Sequence, residues 1–222
     1  MAFDFELTDI FVTRLLFTSA TAVFVLISSS LILPNWSKND IRNKMKETLK
    51  SDLIVIKNIL DKAESKSIDE NDVRLSMINS YQGRKQIKEL YTQMQSEPKS
   101  QQLNTTIGKQ FLIAHERFSQ NYGRFVYATL TKKTKIDLPF WLIQKSFVTA
   151  IKNIIYNLDK ANKDVKSNGD ALSKLFAFLV NVEVNENLND EQYLMVSDLK
   201  KTTKRLVELS NLSENKNLVF VN

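Results

Sequence analysis

Nineteen consecutive residues of this chain, Leu15 to Leu33, carry no charge, and Pro34 closes the run. At 1.5 Å per residue such a helix is about 28 Å long, close to the ~30 Å hydrocarbon core of a bilayer. Arg14 stands just before the run, where a long cation can snorkel outward, and Trp36 stands just after it, where an indole favours the headgroup zone. The only polar groups inside are Ser and Thr hydroxyls, which can bond back to the preceding turn. The run therefore predicts a membrane-spanning helix over about residues 10–34. Two alternatives compete with it. A soluble core helix would show a polar stripe, which is missing. A cleaved signal peptide would start basic and have an apolar centre of about 7–15 residues, whereas this chain starts MAFDFELTD.

Lysine and arginine near the two ends set the expected orientation. Only Arg14 precedes the run, while Lys38, Arg42, Lys44, Lys46 and Lys50 follow within fifteen residues of Trp36. Everything after Trp36 is expected in the cytoplasm. Thr18, Ala22, Val25 and Ser29 form a face of small or β-branched side chains, which lets membrane helices approach closely. Simple tolerance of Ser and Thr facing lipid explains the same residues equally well.

The remainder reads as helix. Four Gly and three Pro in 222 residues are too few for the turns of a sheet protein, and apolar residues recur at spacings of three and four. After Ser37, read as an N-cap, Ile41, Met45, Leu49, Leu53, Ile56 and Leu60 mark one amphipathic helix. Ser67 and Glu70 have capping-box spacing for a second, which runs to Pro98 and holds Gly83 as either a kink or a close contact. A third spans about Thr106 to Leu130. Asp137 as cap and Pro139 in the first turn open a fourth, extending to Ser167-Asn168-Gly169, and shorter helices follow near 170–181 and 189–212. The expected fold is all-α: an N-terminal segment, residues 1–36, with a single membrane helix, then a cytoplasmic antiparallel helical bundle over 37–212 and a tail over 213–222.

Chemical motifs are sparse. The absence of Cys removes disulfides, thiol nucleophiles and thiolate metal sites. His115 in AHERF is the only histidine; the zinc-protease pattern has a second His where Ser119 stands, so His115 reads as a surface or partly buried residue. Carboxylates cluster at Asp69, Glu70 and Asp72 and at Glu186 with Asp190, where they suit helix N-termini. Lys200 to Arg205, KKTTKR, is a basic run that reads as a solvated face, with anionic lipid or RNA as the minor alternative. No enzyme activity, cofactor or metal is expected. The net charge is −2 over residues 1–33 and +8 over 34–222, which permits an anionic neighbour without selecting one.

Two segments together carry a family likeness. RLLFTSATAVFVLISSSLILPNW resembles the last membrane helix of the fusaric acid resistance (FUSC) family, which includes aromatic acid exporters. Arg14, Thr18, Leu33, Pro34 and Trp36 stand at the matching positions. YTQMQSEPKSQQ resembles the family's Met-x-x-Glu-Pro element at the end of a cytoplasmic helix, through Met94, Glu97 and Pro98. The likeness covers roughly residues 8–130. Thr21 stands where the family usually has Gly, and VRLSMI replaces its Tyr-x-x-x-Arg-Lys pattern. Family members carry several membrane helices before this one, so the resemblance implies the C-terminal part of such a protein, as a fragment or a split subunit.

The resemblance implies a bacterial inner-membrane transporter exporting aromatic carboxylic acids, with Arg14 as a substrate contact or an interfacial anchor and the other matched residues structural. Expected partners are the lipid bilayer, further membrane helices or subunits of the same transporter, and a second copy of this chain; nucleic acid is not expected. The alternative is a single-pass scaffold whose bundle binds a protein. A soluble RNA-binding protein is the third reading and requires Leu15–Leu33 to be core. The charge asymmetry generates a direct test of topology. A C-terminal alkaline phosphatase fusion is expected to be inactive and a C-terminal fluorescent-protein fusion bright; the reverse pattern overturns the orientation.

Overall fold

A computed structural model of the chain describes residues 3–32, 37–64, 69–99, 102, 105–131, 136–159 and 164–215. Among the described residues the fold is all-α, as the apolar spacing requires, with no strand. The helices are α1 (Phe3–Ile32), α2 (Ser37–Ala63), α3 (Glu70–Met94), α4 (Thr105–Thr131), α5 (Phe140–Asn157), α6 (Gly169–Asn185) and α7 (Asp190–Ser213). The chain divides into two compact units, Met1–Trp36 and Ser37–Asn222.

In the first unit, α1 contains one stretch, Ile10–Ser28, long and apolar enough to cross a membrane. Phe11, Leu16, Phe17, Phe24 and Leu26 are all exposed, so this helix has no stripe turned into a core. The Thr18 hydroxyl donates to Arg14 O at 2.8 Å and the Thr21 hydroxyl to Phe17 O at 2.7 Å. These bonds remove the cost of placing a free hydroxyl in an apolar setting. Leu33, Pro34 and Trp36 lie outside the described residues.

The second unit is a bundle. Helix α2 packs on α3 and α5, and α7 packs on α4, α6 and α5, while α2 and α4 close the ring. Paired contacts give the directions. Lys62 meets Glu70 and Asp52 meets Ser80, so α2 and α3 are antiparallel. Lys88 with Glu116 and Ser80 with Tyr122 set α4 antiparallel to α3. The core holds Ile41, Met45, Leu49, Ile56 and Leu60 of α2, read from their periodicity, with Leu53 half-buried beside them, and Phe111, Phe118, Phe125 and Val126 of α4.

Several helix ends differ from the expectations. Helix α2 has Ser37 as its first residue rather than as its cap. Asp69, not Ser67, caps α3, accepting from Asn71 N–H at 2.8 Å; Ser67 itself lies outside the described residues. Helix α3 stops at Met94, four residues before Pro98. Pro98 has no N–H to give Met94 O and drives Glu97 away from helical geometry, so the last turn tightens instead, with Glu97 N–H on Met94 O at 3.0 Å. Pro139, not Asp137, precedes α5, because a proline disfavours helix at the residue before it. Its carbonyl accepts from Leu142 and Ile143 N–H at 2.9 and 3.2 Å.

Helix α5 ends at Asn157, well before Ser167. The buried Asn157 amide clasps the returning chain, donating to Lys166 O and accepting from Lys166 N–H, both at 2.9 Å. Asn168 donates to Ala150 O at 3.3 Å and to the Ser210 hydroxyl at 2.9 Å, fastening the start of α6 against α5 and α7. Helix α7 begins with a capping box built by Asn189 and Gln192.

Gly83 is a close contact. A Cβ at this position would stand 2.2 Å from Thr48 Oγ1 and 3.1 Å from Thr48 Cβ. Thr48 is buried and its hydroxyl is tied to Lys44 O at 2.8 Å, so it has little room to yield. Gly83→Ala gains helix propensity worth about 1 kcal/mol. The overlap costs roughly 1–3 kcal/mol and outweighs that gain. Chemical denaturation is expected to show a destabilised single variant and partial recovery in Thr48→Ala/Gly83→Ala. A more stable single variant would show that α2 and α3 can move apart freely.

Candidate functional site

The bundle buries a carboxylate. Asp52, on the α2 face that also carries Leu49 and Ile56, is fully inaccessible to solvent. An unpaired buried carboxylate would be prohibitively costly, and here both oxygens are occupied. Oδ1 accepts from the Ser80 hydroxyl of α3 and from the Tyr122 phenol of α4 at 2.5 Å. Oδ2 meets His115 Nε2 of α4 at 2.6 Å. Arg84 Nη1 donates to Ser80 Oγ and stands 3.6 Å from Asp52 Oδ1. Three helices thus converge on one side chain.

His115 is 1% exposed, which corrects the expectation of a surface or partly buried residue. The reason is tertiary: Asp52 lies 63 positions away in sequence and supplies the acceptor that makes burial of the imidazole favourable. With Nε2 engaged by Asp52, the other ring nitrogen, Nδ1, is buried without a hydrogen-bond partner among the described residues. The Asp52 carboxyl is held below its ordinary value of 3.8. Burial by itself would raise it, and electrostatic attraction from His115 together with hydrogen bonds from His115, Ser80 and Tyr122 outweighs that effect. Burial and the neighbouring Asp52 carboxylate push the Tyr122 phenol up, so it remains a proton donor at neutral pH.

Beside this cluster, α3 and α4 diverge around a cavity of about 380 Å³. Arg84, Ser119 and Tyr122 form the side shared with the buried network. Lys85 and Lys88 extend its cationic wall, opposite Glu116. Met77 and Tyr81 supply an apolar wall.

The residues singled out from sequence fall elsewhere. Arg14 and Thr18 sit on exposed positions of α1. Met94 is fully buried at the end of α3, Pro98 is exposed, and Glu97 O accepts from the Gln102 amide at 2.6 Å. The two groups belong to the two separate units of the chain. In the basic run, Lys200 pairs with Glu183 and Arg205 with Glu208 at 2.6 Å, while Lys201 and Lys204 remain exposed. Among the described residues no three His, Asp or Glu side chains are grouped so as to hold a metal ion.

Compared with protein-family models, curated proteins and solved structures, the chain has no match.

The Asp52 cluster generates a stability test with a defined sign. Because its folded-state value is lowered, its contribution is complete above the ordinary value of 3.8 and is lost as pH falls through the lower folded value. Urea unfolding at neutral pH and at about pH 3 should show wild type losing more stability on acidification than Asp52→Asn. Asp52→Ala, which strands His115, Ser80, Tyr122 and Arg84, should cost about 3–5 kcal/mol at neutral pH. Equal acid sensitivity of wild type and Asp52→Asn would contradict this assignment.

Proposed function

We propose that this chain is a membrane-anchored component of an efflux transporter for aromatic carboxylic acids, with its helical bundle on the cytoplasmic side. The observation that carries the anchoring is the Ile10–Ser28 stretch, long enough to span a bilayer and with none of it buried. In water, a helix exposing Phe11, Leu16, Phe17 and Phe24 together would be a large hydrophobic liability, whereas in lipid it is at rest. The Lys and Arg excess after Trp36 supports the cytoplasmic placement. The substrate class follows from the resemblance of Arg14, Thr18, Leu33, Pro34, Trp36, Met94, Glu97 and Pro98 to the FUSC pattern.

A single helix encloses no path, so transport requires further membrane helices, supplied by partner subunits, by additional copies or by a longer protein of which this chain is the C-terminal part. A single-pass scaffold is the second reading. It is favoured by Leu75, Ile78 and Tyr81, apolar side chains exposed along α3 that a protein partner would cover.

Arg14 tests the transporter reading. A guanidinium grips both oxygens of a carboxylate and stays charged at physiological pH, while a lysine snorkels equally well but has no planar fork. In cells expressing the complete assembly, Arg14→Lys should leave membrane insertion intact and reduce aromatic carboxylate export about tenfold or more. Normal export by the Lys variant makes Arg14 an interfacial anchor. Recovery of the full-length chain in the soluble fraction without detergent, or of a chain shortened by N-terminal cleavage, would overturn the anchor itself.

A further inference from the structure

The cavity between α3 and α4 has the composition of a ligand site rather than of a packing defect. Its volume of about 380 Å³ lies within the range of small-molecule pockets. Three cations reach it: Arg84, Lys85 and Lys88. Lys88 is held by Glu116 at 3.0 Å. Arg84 uses Nη1 on Ser80 and Asp52, and no hydrogen bond among the described residues occupies its Nε–H or Nη2. Lys85 is exposed and has no charged or hydrogen-bonding partner among the described residues. Glu116 is the one carboxylate lining the cavity against three cations, and Asp52 behind Arg84 offsets one more, so the lining keeps a positive excess.

That balance favours a small anion. The remaining edge of the Arg84 guanidinium presents the planar donor pair that fits a carboxylate, and Lys85 adds a mobile ammonium beside it. Arg84 is also braced from behind by Ser80 and Asp52, so its position is fixed before any ligand arrives. Along the same face of α3, one and two turns before Arg84, stand Tyr81 and Met77, an aromatic ring and a polarizable thioether suited to the face or edge of a flat apolar body. Tyr81 is 65% exposed, leaving its ring available to a ligand.

We propose that the α3–α4 cavity binds a small organic monocarboxylate with a flat apolar body, its carboxylate held by Arg84 and Lys85 and its body against Tyr81 and Met77. The site uses residues of the bundle alone and stands whether or not the chain takes part in transport. If it does, the cavity gives the cytoplasmic domain its own contact with the exported acid, separate from Arg14. Asp52 here is a positioning residue, acting through Ser80 and Arg84.

The test is isothermal titration calorimetry on the full-length chain in detergent micelles, with sodium benzoate as the probe. Saturable binding is expected, weakened about tenfold in Lys85→Gln, whose altered side chain is exposed and leaves the melting temperature unchanged. Arg84→Gln should abolish binding; where its melting temperature falls, Lys85→Gln and Tyr81→Ala carry the result instead. Binding should persist in Arg14→Lys, and methyl benzoate, which lacks the charge, should not compete. Any of three results overturns the proposal: no saturable binding at millimolar benzoate, binding indifferent to Lys85→Gln and Tyr81→Ala, or displacement of benzoate by equimolar inorganic phosphate. A chain that binds benzoate yet supports no export keeps the cavity and loses the transporter reading, and export without binding does the opposite.

Discussion

The Asp52 carboxylate sets the terms for the half of the bundle built from α2, α3 and α4. A charge that deep in an apolar interior is tolerated only while its oxygens are hydrogen-bonded, and the donors come from two other helices. Sliding α3 by one turn would remove Ser80, and sliding α4 would remove His115 and Tyr122. Hydrophobic side chains alone would accept several registers, since apolar contact has no direction. Gly83 works with this constraint, because bringing Ser80 to Asp52 presses α3 onto α2 at Thr48, where a side chain does not fit. The same convergence braces Arg84 at the edge of the α3–α4 cavity.

The two units of the chain answer one physical demand in opposite ways. In the bundle, apolar residues form stripes, and each stripe is buried by a neighbouring helix, leaving charged faces outside. In α1 the apolar residues run all around, with no polar face to turn outward and no charge from Leu15 onward. The Thr18 and Thr21 hydroxyls are satisfied within the helix, by Arg14 O and Phe17 O. In α3 and α4, by contrast, Ser80, Tyr122 and His115 reach across to Asp52 on another helix.

Helix type and the composition of the core were legible in sequence, since Ile41, Met45, Leu49, Phe111 and Phe118 recur at helical spacing and each is buried. Helix ends were less so. Met94 ends α3 because of Pro98, a local effect, but its reach of several residues depends on how the last turn tightens. Asn157 ends α5 for a reason no local pattern contains: its amide is engaged by Lys166 and Ser213. An asparagine in an otherwise apolar face was the one available signal at Asn157, and an aspartate between Leu49 and Ile56 was the equivalent signal at Asp52.

By itself, then, the amino-acid sequence determined the all-α class, the apolar faces, and the presence of one helix long and apolar enough to cross a membrane, because these depend on spacing and composition along a few adjacent turns. The tertiary structure alone decided that His115 and Asp52 meet, that Gly83 is a contact rather than a kink, and that Arg84, Lys85, Met77 and Tyr81 share a cavity with Ser119 of α4. Those outcomes depend on register between helices separated by dozens of residues. Register is set by which buried polar groups can satisfy one another, and the donor to a given acceptor is not specified by anything near it in the chain.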